Sequence, residues 1–259
     1  MIFSFASSKK LRIKSADITN AYFQGELLDR LMLLRVDIPG KEGQYVIARV
    51  PIYGTKDAGR QFWKRLRQVM LEAGFKENRI MDAVYSFNDE QGKGKAIAGT
   101  HVDDLLWACE PDVDYMMDHV LKTFECGKIE EGSFRFCGKE ISQDDDYNIT
   151  VTCRQTTLKM KPIVIKHGRK ASDRLDESEK SQMKSIAGSL SWVTRQCRPD
   201  LAYRTSKVQS EGSKGCVKNI RDANKTIDYA IATADRGLYF KAGILDWDDM
   251  VSGLSLIHI

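Results

Sequence analysis

Two carboxylates stand side by side inside an apolar run, Ala96-Ile97-Ala98-Gly99-Thr100-His101-Val102-Asp103-Asp104-Leu105-Leu106-Trp107-Ala108. Both flanks read as buried β-strand, and ionised carboxylates inside apolar structure are costly unless paired or bound to metal. A tight hairpin resolves the conflict by exposing Asp103 and Asp104 at its tip, ready to hold a divalent cation. A surface turn that happens to contain Asp-Asp is the competing reading of these residues alone. A third acid, Asp17, ends the alternating segment 12–18. Antiparallel pairing of that strand with the hairpin would bring all three carboxylates together.

The surrounding chain supplies elements able to position them. Segments 31–36 and 44–50 are strand-like and joined by the turn Pro39-Gly40-Lys41-Glu42-Gly43. Asp57 or Gly59 opens a helix with Phe62, Leu66, Val69, Met70 and Ala73 on its apolar face and Gly74 as its stop. Strands follow around 84–87 and 96–108. A second amphipathic helix then starts at Pro111-Asp112 and turns Val113, Met116, Met117, Val120, Leu121 and Phe124 inward. Strand, helix, hairpin, helix is a split βαββα pattern, an α+β fold with two helices on one face of an antiparallel sheet. Segments 134–141 and 147–152 suggest another hairpin across Asp144-Asp145-Asp146. After about residue 154 the texture turns to basic helices at 181–195, 199–209 and 219–234, which marks a subdomain boundary.

At 259 residues the chain can build one large domain or two smaller ones. Its 42% apolar and 29% charged content is ordinary for a soluble globular protein. No run approaches a membrane span, and the opening Met1-Ile2-Phe3-Ser4-Phe5 is too short for a signal-peptide core. The six cysteines (Cys109, Cys126, Cys137, Cys153, Cys197, Cys216) lack C-x-x-C spacing and read as reduced, half-buried thiols. The net charge of +4 conceals blocks of about +6 over 1–75, −9 over 76–153 and +10 over 154–225. An acidic centre between basic flanks suits a metal site beside a polyanion track; solvated acidic loops explain the same blocks without one.

Five ordered blocks then resemble one family, the reverse transcriptases of copia-type LTR retrotransposon Pol polyproteins. Asp17-Ile18-Thr19-Asn20-Ala21-Tyr22-Phe23-Gln24-Gly25-Glu26-Leu27 resembles their first catalytic motif. Tyr53-Gly54-Thr55-Lys56-Asp57-Ala58-Gly59-Arg60-Gln61-Phe62-Trp63 is similar to their Y-G-L-K-Q-A-P-R-x-W block, and His101-Val102-Asp103-Asp104 to their Y-V-D-D box. Phe136-Cys137-Gly138-Lys139-Glu140-Ile141 is similar to F-L-G-I-E-I, and the segment 190–203 to L-x-Y-L-x-x-T-R-P-D-I-A-Y. Each block is weak singly; five in order over nearly the whole chain form a specific pattern.

The resemblance implies a right-hand palm with partial fingers over 1–153 and a mostly helical thumb and connection region over 154–245. Residues 246–259 would begin a linker toward an absent RNase H domain. It implies RNA-directed DNA synthesis on a primed RNA or DNA template from deoxynucleoside triphosphates, by two Mg²⁺ ions (Mn²⁺ as a substitute) about 4 Å apart. Asp17 and Asp103 would bind metal, Asp104 would support the site, and the Ile18 carbonyl would add a ligand. Tyr22 would lie under the nucleotide sugar, although a core aromatic explains Tyr22 alone. Lys56, Asp57 and Arg60 would face the nucleotide or template phosphates. Phe136, Cys137 and Gly138 would form a primer-grip hairpin, and Lys159, Lys161, Lys166, Arg169 and Lys170 would track the duplex. No membrane partner is implied. The parent polyprotein would carry integrase upstream and RNase H downstream, and replicate in cytoplasmic particles with later nuclear access.

Three positions depart from the family. His101 replaces Tyr, Gly59 replaces Pro, and Asp57 stands where relatives carry a nucleotide-contacting Gln. A carboxylate near a triphosphate is repulsive unless a metal or a neighbouring base such as Lys56 compensates. Only 16 residues precede Asp17, so Met1 reads as an internal methionine and the fingers as incomplete, which would leave the fragment weak or inactive. The last residues, Leu254-Ser255-Leu256-Ile257-His258-Ile259, back-translate to a transposase adapter used in sequencing libraries. The rival functions are a decayed remnant that only binds nucleic acid and a metal-dependent nuclease or phosphatase built on the same carboxylates.

Overall fold

The computed structural model describes residues 1–212 and 215–247; the adapter-like stretch 254–259 lies outside them. The fold is α+β, with antiparallel sheets and seven α-helices among the described residues. It forms two compact units. One comprises 1–132 with the returning segment 241–247, the other 133–240.

In chain order the first unit holds α1 (Ile2–Ser8), β1 (Lys14–Asp17), β2 (Met32–Arg35), β3 (Tyr45–Ala48), α2 (Ala58–Glu72) and β4 (Lys76–Glu77). It continues through β5 (Val84–Asn88), β6 (Gly94–His101), β7 (Asp104–Cys109), α3 (Tyr115–Thr123) and β8 (Glu130–Glu131). Six of its strands form a sheet in the order β4-β5-β6-β7-β1-β8. Successive side chains of a strand point to opposite faces, and here both faces are covered. Tyr85, Ala96, Ala98, Leu105 and Trp107 pack in one cluster with Phe62, Leu66 and Met70 of α2 and Met116, Met117 and Val120 of α3. The opposite face lies against α1. This explains why β7 reads as continuously apolar: Leu105 through Ala108 are all buried.

The helices begin and end close to where their sequence signals fall. Asp57 is the N-cap position of α2, and Gly74 follows its end with φ +99°, the left-handed conformation that glycine adopts without a Cβ penalty. Pro111-Asp112-Val113 forms a 3₁₀ turn leading into α3. β2 and β3 pair only with each other. Trp247, on the returning segment, meets Phe5 of α1 edge-on with ring centroids 5.3 Å apart.

The second unit holds β9 (Ser133–Phe136), β10 (Lys139–Gln143), β11 (Ile149–Thr152), α4 (Arg154–Leu158), α5 (Glu177–Gln196), α6 (Ala202–Glu211), α7 (Val217–Ala232) and β12 (Leu238–Phe240). Its sheet runs β12-β11-β10-β9. Segment 134–141, read as one strand from its residues and as a hairpin at Phe136-Cys137-Gly138 from the resemblance, is a hairpin: Lys139 pairs with Phe136 across the two-residue turn Cys137-Gly138. Both turn residues have positive φ, +46° and +77°, the geometry that matches the twist of flanking strands. α5 opens on a reciprocal capping box. Asp176 accepts from the Glu179 N–H at 2.8 Å, and Glu179 accepts from the Asp176 N–H at 2.9 Å.

Two features of this unit correct or extend the sequence reading. Cys153 and Cys197, expected as separate thiols, are paired as a disulfide with Cα atoms 6.4 Å apart. They lie 44 residues apart in sequence, so only the packing of α5 beside the strand end of β11 brings them together. Arg198 is almost completely buried. It donates to both Asp200 oxygens at 2.8 Å and to the carbonyl and hydroxyl of Thr233, also at 2.8 Å. A buried guanidinium needs such saturation, and this one ties the α5–α6 corner to the end of α7.

Candidate functional site

The site-forming feature of the first unit is the position of β1 between β7 and β8. Its register sets Asp17 directly opposite Asp104. The Ile18 N–H donates to the Asp103 carbonyl at 2.8 Å. This bond lies just beyond the Asp17–Asp104 pair, so the two acids form a non-hydrogen-bonded pair, the class in which opposing side chains approach most closely. Like charges directly opposite each other are destabilising.

Asp103 occupies the two-residue turn between His101 and Asp104, which pair with each other. The other turn residue, Val102, has φ +57°. A β-branched residue in that region is strained, and such strain persists only where surrounding structure enforces it. Here β6 and β7 are locked into a central sheet, and the turn between them has no other residue to spend.

Asp17 is held from its other side as well. Its carbonyl accepts from the Gly127 N–H at 2.8 Å. A Cβ at Gly127 would collide with the Asp17 carboxylate, so glycine is what gives that carboxylate its place. The neighbouring Cys126 thiol is pushed up to about 11, by burial first and by the Asp17 charge second. Gln24 fastens the strand exit: its amide donates to the Thr19 carbonyl at 2.6 Å and accepts from the Glu125 N–H at 2.8 Å. Gly127 carried no signal in the sequence reading, because its partner lies 110 positions away.

Tyr22 sits in a 3₁₀ turn after β1, half-buried, with its ring 4.5 Å from that of Tyr53. It lines a cleft of about 360 Å³ together with Phe62, Trp63, Thr100, His101 and Val102. Gly59, Leu66 and Ala83 complete the wall. Gly59, found in place of proline, leaves room beside the Tyr22 hydroxyl, which a Cβ would meet at 3.8 Å. One cleft thus joins the candidate sugar platform to the tip of the acidic hairpin.

Lys56 and Arg60 are exposed around the start of α2. Asp57 is not compensated by the adjacent Lys56 in the way the sequence suggests; Arg30 forks onto it, Nε to Oδ2 at 3.0 Å and Nη2 to Oδ1 at 2.9 Å. That guanidinium holds the Asp57 carboxyl below the usual range.

The remaining candidates belong to the second unit. Phe136, Cys137 and Gly138 form the tip of the β9–β10 hairpin, where a Cβ on Gly138 would press on the Trp192 ring at 3.2 Å. Lys159, Lys161 and Lys170 are exposed. Lys166 and Arg169 are engaged at the start of α5, Lys166 with Asp176 at 2.8 Å and Arg169 with Glu179 at 3.1 Å. Their first role is to neutralise the acidic cap.

The carboxylates suit a hard divalent cation in kind, since Mg²⁺ takes oxygen ligands. Among the described residues no three His, Cys, Asp or Glu side chains are gathered at metal-ligand separation. Mg²⁺ is typically held by one or two carboxylates completed by substrate phosphates, and a facing pair of acids fits that mode. Among the described residues no helix is long and apolar enough to cross a membrane.

No protein-family profile matches the chain. The chain is similar to two proteins of Arabidopsis thaliana. It is 24% identical over 260 residues to the retrovirus-related Pol polyprotein from transposon RE2, and 23% identical over 260 residues to that from transposon RE1. Each comparison covers 94% of this chain but only 18% of the relative. The similarities support a relationship to one segment of retrotransposon Pol polyproteins.

Proposed function

We propose that this chain is the reverse-transcriptase segment of a copia-type retrotransposon polyprotein, acting in RNA-directed DNA synthesis. The observation that carries the reading is the facing pair Asp17–Asp104 with Asp103 in the adjoining turn, beside a cleft that contains Tyr22. Asp17, Asp103 and Asp104, with the Ile18 carbonyl, would hold Mg²⁺ or Mn²⁺. When bound, such ions activate the primer 3′-hydroxyl and stabilise the charge of the leaving pyrophosphate.

The chain's own residues do the positioning. Tyr22, backed by Tyr53, offers a flat ring for the nucleotide sugar. Lys56 and Arg60, at the positively polarised start of α2, attract phosphates. Lys159, Lys161 and Lys170 bind a template–primer backbone without reading its sequence, and the β9–β10 hairpin serves as primer grip. In the parent polyprotein, integrase would precede and RNase H follow this segment, within a cytoplasmic particle.

The test is primer extension on poly(rA)/oligo(dT) with Mg²⁺ or Mn²⁺, comparing the chain with its Asp103→Asn variant. Extension by the parent and none by the variant is expected. Equal extension by both would remove the carboxylate centre. A second reading, a non-catalytic nucleic-acid-binding remnant, draws support from the absence of a three-ligand cluster among the described residues. It predicts no extension by either protein, with salt-sensitive duplex binding retained.

A further inference from the structure

Asp57 is the anomaly of the nucleotide-facing segment, a carboxylate two residues from the cleft-lining Gly59. An aspartate at an N-cap normally accepts a hydrogen bond from the first helical turn. Asp57 forgoes that role: its side chain makes no capping bond, and Arg30 takes both of its oxygens instead. A planar guanidinium forked onto a carboxylate is the most complete neutralisation available to a side chain.

The pair also joins two stretches of chain that meet nearby. Tyr22 and Phe23 pack on Tyr53 with centroids 4.5 Å and 5.6 Å apart, and the Leu28 N–H donates to the Arg49 carbonyl at 2.9 Å. Arg30 ends the first stretch and Asp57 ends the second. Both side chains retain solvent access, 47% for Arg30 and 27% for Asp57, and exposed ion pairs add little to folding stability. The consequence to test is therefore what the pair does to a charged ligand near the start of α2 rather than to folding.

We infer that Arg30 and Asp57 act as one electrically neutral unit at the start of α2, two residues from the cleft-lining Gly59. Arg30 is a positioning residue that makes Asp57 compatible with a nucleoside triphosphate and keeps the Tyr22 stretch against the start of α2. The inference rests on the nucleotide-site reading above and names a residue that the motif pattern does not include. Without Arg30, Asp57 presents a bare negative charge to the triphosphate. Without either charge, the repulsion disappears.

The measurement is equilibrium binding of Mg²⁺–dTTP to the full chain by dialysis, for the parent, Arg30→Ala, Asp57→Asn and the double variant. At low salt Arg30→Ala is expected to weaken binding about five- to tenfold, the effect of one uncompensated charge within a Debye length. Asp57→Asn, which leaves the Arg30 charge uncompensated, should strengthen binding by a comparable factor, and the double variant should return to within about twofold of the parent. High salt should shrink the Arg30→Ala defect. Arg30→Gln, which removes the charge but keeps a polar side chain of similar length, replaces Arg30→Ala if circular dichroism shows that variant unfolded. A double variant as weak as Arg30→Ala, or an Arg30→Ala protein that binds like the parent, overturns the inference alone. A parent chain that fails to bind Mg²⁺–dTTP at all overturns the nucleotide-site reading and the inference with it.

Discussion

Two hairpins in this molecule turn in the same number of residues and meet the steric demand in opposite ways. The β9–β10 turn uses Cys137-Gly138, with glycine at the larger positive φ, +77°. The β6–β7 turn places Val102 at φ +57° and follows it with Asp103. The first is a turn that local chemistry favours. The second carries backbone strain, and beside it two like charges face each other. The contrast extends to buried charge: in the second unit Arg198 is saturated by Asp200 and Thr233. A region that retains unfavourable terms next to a cleft is where function is to be sought.

The sharpest test of this contrast is a variant that improves folding while destroying activity. Asp17→Asn removes the like-charge pair and is expected to raise stability by about 0.5 kcal/mol, read as a higher urea midpoint. On the proposed reading, in which Asp17 is a metal ligand, the same change should reduce primer extension more than about 100-fold, because a ligand counts for more than its supporting groups. Loss of both properties together would mean that Asp17 is merely structural.

Arg198→Ala should cost about 2 kcal/mol of stability, since it removes the hydrogen bonds of a buried guanidinium to Asp200 and Thr233. The pair has a pH signature. Arg198 holds the Asp200 carboxyl below the ordinary range, so its contribution is complete above the unfolded value of about 3.9. It fades as pH falls through the lower folded value. Asp200→Asn should flatten that acid limb in a pH series of thermal melts, modestly because Asp200 is 37% exposed.

Gly127→Ala is expected to leave stability within about 1 kcal/mol, because the atom it meets ends a movable side chain. Displacing the Asp17 carboxylate should nonetheless lower extension about 100-fold. Normal extension in this variant would show that the position of Asp17 is not critical.

The smallest effects come from exchanging the two turns' solutions. Gly138→Ala should destabilise by about 1 kcal/mol, through its positive φ and the nearby Trp192 ring. Val102→Gly should stabilise by less than about 1 kcal/mol, by relieving strain at the cost of a floppier unfolded chain. Equal signs for these two changes in chemical denaturation would break the comparison.

What the chain determined by itself is local. Alternation ending at Asp17, the apolar flanks of Asp103-Asp104, the 3.6-residue stripe from Phe62 to Met70, and Gly74 at the helix stop all act within a few residues of one another. They suffice for element type and for a hairpin with acids at its tip. The split of 134–141 into two strands was legible in part: Cys-Gly is an acceptable two-residue turn and the resemblance placed a hairpin there, whereas the strand-like residues on either side read as one strand.

Only the tertiary structure decided which strand neighbours which. The placement of β1 between β7 and β8 makes Asp17 face Asp104 and sets Gly127 against the Asp17 carboxylate. The same holds for Arg30 reaching Asp57 and for the pairing of Cys153 with Cys197. The reason is physical: periodicity and turn chemistry are settled by adjacent residues, whereas strand order is settled by which apolar faces bury one another. The partners of charged and sulfur-bearing groups are consequences of that choice.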